Sequence, residues 1–202
     1  MSKQPQAPRS WTWPHYYVCR VIGRCLFRLA GGLEVLGREN LPEGGALLAA
    51  NHVSYADPPA VGCALHERCY YFAKRQLFEI PLFGPFIRTL YAFPVDREGT
   101  DRAAIRHAAR LLKAGEKVTI FPEGTRSPDG TLQKGSGGAA FIAKLAGAPM
   151  VPTALVGTDE FLPRGSMFLH RAKTTVSFGK PVYVADFNAD DDRPDLRAAT
   201  DE

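Results

Sequence analysis

The stretch ALLAANHVSYADPP, residues 46–59, decides how the rest of the chain is read. Ala46 to Ala50 are small and apolar without alternation, the pattern of a strand buried on both faces, as in a parallel sheet. Pro58 and Pro59 then open a helix running to about Leu65, since proline's fixed φ suits a first turn and its missing N–H is not needed there. Between strand and helix stand His52 and Asp57. An H-x4-D pair arises easily by chance, and Asp57 before two prolines also reads as an ordinary helix N-cap with His52 a loop histidine. The chemical reading is a base and its orienting carboxylate. A spacing of five aligns nothing on one helix face, but a loop turning from strand end to helix start can bring the two together. Strand ends are also where open α/β sheets bind ligands.

Working outward, LEVLG (33–37) reads as a strand after the Gly31-Gly32 break, CYYFA (69–73) and YAFPV (91–95) as further strands, and 74–90 as broken helical structure. Thr100 reads as the cap of a helix through Ile105, Ala109 and Leu112 that Gly115 stops. KVTIF (117–121) is a buried strand, 137–146 a small-residue helix ending at Gly147, and MVPTALVG (150–157), TTVSFG (174–179) and VYV (182–184) are later strands. Strands alternating with helices predict an α/β fold: a largely parallel mixed sheet with helices on both faces. Three segments are expected: an N-terminal tail and helix at 1–30, the α/β domain at 31–185, and an acidic segment at 186–202. RPDLRAATDE (193–202) begins like a helix without a stop, as in a truncated chain.

The chain has 202 residues and a net charge of +4, but the acidic segment carries −5, leaving +9 on residues 1–185. So basic a body suits an anionic partner: a phosphate-bearing substrate, an acidic lipid surface or nucleic acid. Cys19, Cys25, Cys63 and Cys69 lack zinc-knuckle spacing, and nothing in the sequence resembles a cleavable signal peptide, so reduced thiols facing the cytosol are expected. No stretch reaches the ~18–20 apolar residues of a spanning helix. WTWPHYYVCRVIGRCLFRLAGGL (11–33) instead combines aromatics with Arg20, Arg24 and Arg28 in one stripe and Val18, Val21, Ile22, Leu26 and Phe27 elsewhere. That pattern predicts an amphipathic helix in a membrane interface, its arginines toward the headgroups; the alternative is a first helix packed on the domain with solvated arginines.

His52 and Asp57 have company. FPEGTRS (121–127) puts Glu123, Gly124, Thr125 and Arg126 at the end of one buried strand, and FPVDR (93–97) delivers Arg97 from another. Turns of this kind expose backbone N–H groups, and arginine binds phosphate oxygens bidentately. NHVSYADPP, KRQLF followed by Pro81, GPF and FPVDR, then FPEGTRS and APMVPTAL, in this order over about 46–157, resemble the four sequence blocks of the 1-acylglycerol-3-phosphate acyltransferase family.

That resemblance implies transfer of a fatty acyl chain from an acyl-CoA or acyl-carrier-protein thioester to the sn-2 hydroxyl of lysophosphatidate, forming phosphatidate at the cytoplasmic face of the membrane. His52 matches the catalytic base and Asp57 the residue orienting it. Arg97, Glu123, Gly124, Thr125 and Arg126 match the acceptor-binding blocks, and Pro152 the proline of the fourth. No cofactor or metal is implied beyond the thioester co-substrate, Ser54 and Ser136 are not acylated, and the partners are the donor, the acceptor lipid and an anionic membrane surface rather than nucleic acid. Tyr91 stands where the family often has glycine, a change expected to reshape the pocket near acceptor or acyl chain. Another lyso-lipid or glycerol-phosphate acceptor is the alternative within the class. Outside it stands a metal-dependent phosphohydrolase using the same His, Asp, Glu and Arg types.

Overall fold

A computed structural model describes residues 13–96 and 101–184. Among the described residues seven strands form one sheet: β1 (Leu33–Leu36), β2 (Ala46–Ala50), β3 (Cys69–Lys74), β4 (Ala92–Val95), β5 (Lys117–Ile120), β6 (Met150–Val156) and β7 (Thr174–Phe178), in the order β1-β7-β6-β2-β5-β3-β4. Every neighbouring pair is parallel except β6 with β7. The mixed, mostly parallel sheet expected from the alternation is therefore observed.

Around it lie α1 (Trp13–Leu29), α2 (Asp57–Ala64), α3 (Phe83–Thr89), α4 (Arg102–Lys113), α5 (Gly138–Ala146) and the single turn α6 (Thr158–Phe161). Side chains alternate across each strand, so neighbours on β2 enter different cores. Leu48 joins Phe27 of α1 and Ala60 and Val61 of α2 on one face, while Leu47 joins Ala104 and Ala108 of α4 and Ile142 of α5 on the other. The crossovers leaving β2 and β5 thus pass over opposite faces. At such a reversal the two outgoing loops part and leave a crevice at the carboxyl ends of the strands. His52 follows β2 and Glu123 follows β5, so both loops border that crevice.

Several local expectations change. The cap of α4 is Asp101, whose Oδ1 accepts from Ala103 N (3.0 Å) and Ala104 N (2.9 Å); Thr100 lies outside the described residues. A carboxylate one residue before the first helical turn reaches those orphan N–H groups directly. Val182 makes only an isolated bridge with Met150, not a strand. The short α6 and a 3-10 turn at Arg38–Asn40 were not visible in the pattern, being too brief to show periodicity.

The largest correction concerns α1. Two of its three stripe arginines, Arg20 and Arg24, face inward. Arg24 donates through Nε to Cys63 O (2.8 Å) and through Nη2 to Leu65 O (3.2 Å), and Arg20 donates to Leu65 O (3.2 Å) and His66 O (2.5 Å). Arg38 adds a bond to Ala64 O (2.6 Å). The last carbonyls of a helix lack intrahelical partners and carry the negative end of its dipole, so the α2 C-terminus attracts these cations. Arg28 stays exposed, and so do Val18, Val21, Ile22, Leu26 and Leu29. Apart from Arg28, the outward face of α1 is mostly apolar. Among the described residues no helix is long and apolar enough to cross a membrane.

Tyr91 sits just before β4, at the opposite end of the strands from His52, with φ +64. Left-handed backbone favours glycine, so the tyrosine is strained at this position. The tyrosine ring packs against Tyr16 of α1 (5.2 Å) and Tyr70 (5.0 Å), so this departure alters helix docking rather than the crevice.

Candidate active site

Asp57 is fully buried and stands at the first position of α2, with Ala56 in the cap position. Side chains of a helix lean toward its N-terminus, so the carboxylate reaches back over the preceding loop. Its Oδ2 accepts from Val53 N (2.7 Å) and Ser54 N (2.8 Å) and meets His52 Nδ1 at 2.7 Å. Asp57 therefore serves the loop, not the helix end. An ionised carboxylate can only accept, so in that contact Nδ1 is the donor and Nε2 is left for another partner. The N–H groups of Val53 and Ser54 are both engaged and are not open donors for an oxyanion.

The segment after β5 holds His52 through backbone and ring. The His52 N–H donates to Glu123 Oε1 (2.8 Å), and its carbonyl accepts from Ser127 N (2.7 Å). Its ring stacks on Phe121, centroids 4.1 Å apart. Asn51 pairs with the backbone of Leu155 in both directions, donating to its carbonyl (2.9 Å) and accepting from its N–H (2.7 Å), which ties the loop to β6. Ser54 Oγ donates to Leu162 O (2.7 Å). Asn51, Phe121 and Ser127 lay inside the quoted motifs without an assigned role. Their contacts run through backbone atoms or a ring face, which residue type alone does not signal.

The loop after β5 brings the second group of expected residues alongside. Gly124 has φ +72 with open space where a Cβ would stand, so its conformation rather than crowding selects glycine. Thr125 is exposed. Arg126 lies over the ring of Tyr55 from the His52 loop, its guanidinium carbon 3.6 Å from the centroid. Glu123, expected to contact an acceptor, has its second oxygen on Gln133 N (3.3 Å), so both oxygens engage backbone. Arg97 lies outside the described residues. A cleft of about 730 Å³ opens beside these loops, bordered by Asn51, Glu123, Leu132, Pro152 and Leu155, though His52 does not line it. Among the described residues no cluster of three or more His, Cys, Asp or Glu side chains is set to hold an ion.

The arrangement can do one thing readily: an imidazole, oriented by a buried carboxylate at a strand end, can take a proton from a hydroxyl in the crevice. A nearby cation can hold an anionic substituent of the same molecule.

The sequence profile of the acyltransferase family matches residues 32–156. The chain is 36% identical to the 1-acyl-sn-glycerol-3-phosphate acyltransferase of Bacillus subtilis (strain 168), over 85% of this chain and 84% of that protein. It is 32% identical to the chloroplastic 1-acyl-sn-glycerol-3-phosphate acyltransferase BAT2 of Brassica napus, over 74% of this chain and 45% of the longer plant protein. Among solved structures, the 1-acyl-sn-glycerophosphate acyltransferase PlsC of Thermotoga maritima superposes with a TM-score of 0.75 at 26% identity, covering 94% of this chain and 77% of that one.

Proposed function

The chain belongs to the acyltransferase family, and from that premise we propose that it acylates the sn-2 hydroxyl of 1-acyl-glycerol-3-phosphate to form phosphatidate. The observation that carries this reading is the 2.7 Å contact between His52 Nδ1 and Asp57 Oδ2 at the carboxyl end of β2. His52 Nε2 takes the acceptor's hydroxyl proton as its oxygen attacks the thioester carbonyl. The tetrahedral intermediate collapses, the C–S bond breaks, and the imidazolium returns its proton to the departing thiolate. Asp57 keeps the tautomer and stabilises the imidazolium between those two transfers. Arg126, stacked on Tyr55, binds the acceptor phosphate together with Arg97; Gly124 and Thr125 shape the turn beside them. Glu123 supports catalysis by holding the His52 backbone.

The donor is acyl-CoA or acyl-carrier protein, and the reaction draws on no resident cofactor or metal. Acceptor and product are lipids, so the site works at a bilayer surface, on the cytoplasmic side where the donors are found. The exposed apolar face of α1 supports that placement, in the geometry of a helix lying in the interface.

The test is thiol release by the full-length protein given palmitoyl or oleoyl thioesters and a panel of lyso-lipids. Lysophosphatidate is expected to be the preferred acceptor. His52→Ala should lower turnover by about 10³-fold or more while the protein stays folded. Near-normal turnover in that variant, or a requirement for added metal after chelation, would overturn the mechanism.

A further inference from the structure

Met167, Phe168 and Leu169 form the tip of the segment between α6 and β7 and are 92%, 79% and 46% exposed. Three consecutive large apolar side chains in water are unusual for a surface without a partner. The segment is held in shape rather than slack. Ser166 Oγ accepts from Phe168 N (3.0 Å) and donates to Phe168 O (3.0 Å), Ser166 N donates to Pro163 O (3.0 Å), and His170 N donates to Phe161 O (2.8 Å).

Its root is tied to two places already described. Ser54 of the His52 loop donates to Leu162 O (2.7 Å), and Phe161 stacks on Phe27 of α1, centroids 4.4 Å apart. A Cβ on Gly31, just past α1, would come within 2.6 Å of Ala172 O. The apolar tip therefore rises from the end of the molecule that holds His52 and the end of α1, where Leu29 is 81% exposed.

Charge completes the pattern. No acid occurs from Leu162 to Lys173, and Arg164 and Arg171 flank the tip, both exposed; Lys173 is paired with Glu34 at 2.9 Å. An apolar tip between two arginines complements an anionic bilayer surface, the side chains entering the acyl region and the guanidinium groups meeting lipid phosphates.

We propose that the loop from Pro163 to Arg171 is a lipid-inserting element beside the His52 site, separate from α1, that seats the crevice on an anionic membrane. This rests on the proposed use of a lipid acceptor.

The experiment measures co-sedimentation of the full-length protein with phosphatidylcholine vesicles containing phosphatidylglycerol, alongside turnover of two acceptors. One is long-chain lysophosphatidate in the vesicles; the other is a short-chain lysophosphatidate dissolved below its micelle threshold. Met167→Ser, Phe168→Ser and Leu169→Ser together should weaken vesicle binding by about tenfold or more. Turnover of the vesicle-borne acceptor should fall in step, with turnover of the dissolved one unchanged. Arg164→Ala with Arg171→Ala should remove only the binding that depends on phosphatidylglycerol. Unchanged sedimentation of the triple variant overturns the proposal. So does equal loss of turnover on both acceptors, which makes the loop part of the active site or its packing. Intact vesicle binding with turnover lost only for carrier-protein donors overturns it too, in favour of a donor dock. If the wild type acylates neither acceptor, the proposed function fails, and sedimentation still decides the loop.

Discussion

At the scale of single residues, Glu123 and Arg126 separate two roles within the proposed reaction. Glu123 touches the His52 backbone, so its replacement should disturb the base rather than the acceptor. Glu123→Gln keeps one carbonyl oxygen but loses the charge and an acceptor. Its kcat should fall by about 10–100-fold, as a small displacement of a base can cost that much, with acceptor KM within about threefold. Steady-state kinetics over a range of lysophosphatidate concentrations checks this, and a rise in KM alone would return Glu123 to acceptor binding. Arg126 should show the reverse split. Tyr55→Ala removes the ring beneath its guanidinium, a contact worth about 0.5–2 kcal/mol, so acceptor KM should rise about 2–30-fold. In an Arg126→Ala background the same change should add nothing, since there is no cation left to hold. Additive effects across that cycle would mean Tyr55 touches the substrate itself.

At the scale of elements, α1 is joined to α2 through arginine-to-carbonyl bonds. Arg24→Ala removes two of them and leaves the partly buried Cys63 carbonyl without this donor, at a cost of about 1–3 kcal/mol. In a chain of this size that lowers the melting temperature by roughly 3–10 °C. The exposed Arg28, changed the same way, should stay within about 0.5 kcal/mol of wild type. Thermal denaturation of the two variants side by side checks the orientation of the helix. Equal effects would place both arginines in solvent. The 3.6-residue period groups Arg20, Arg24 and Arg28 on one stripe, but it says nothing about which stripe turns inward. Charge usually faces out; here the unpaired carbonyls at the end of α2 reverse the rule.

At the scale of the whole molecule, a boundary near residue 30 cuts through packed structure. Phe27 belongs to the core under α2, and Tyr16 is buried against the ring of Tyr91. Losing two such aromatic rings costs about 3–5 kcal/mol each, comparable to the ~5–15 kcal/mol by which most domains are stable. Removing residues 1–30 should therefore unfold or loosen the α/β domain. Circular dichroism and urea titration of the shortened chain check it. A cooperative transition at the wild-type midpoint would make α1 a mere appendage.

The sequence by itself determined the layer order and which strand ends carry the candidate site residues. Buried parallel strands such as Ala46–Ala50 and Lys117–Ile120 are short apolar runs with turns on either side, and these are local properties. His52 and Asp57 were legible because strand, loop and helix start are contiguous, so their meeting needs only one turn of chain. Only the tertiary structure decided how that pair is held. Glu123 is drawn to the His52 N–H, Ser127 to its carbonyl and Asn51 to Leu155 because β2 lies between β5 and β6, an order no local pattern encodes. It likewise turned Arg20 and Arg24 of α1 inward and left an apolar loop at the rim of the candidate site. Spacing along the chain reports which side chains share a face; what that face meets depends on which backbone polar groups, distant in sequence, packing leaves unsatisfied beside it.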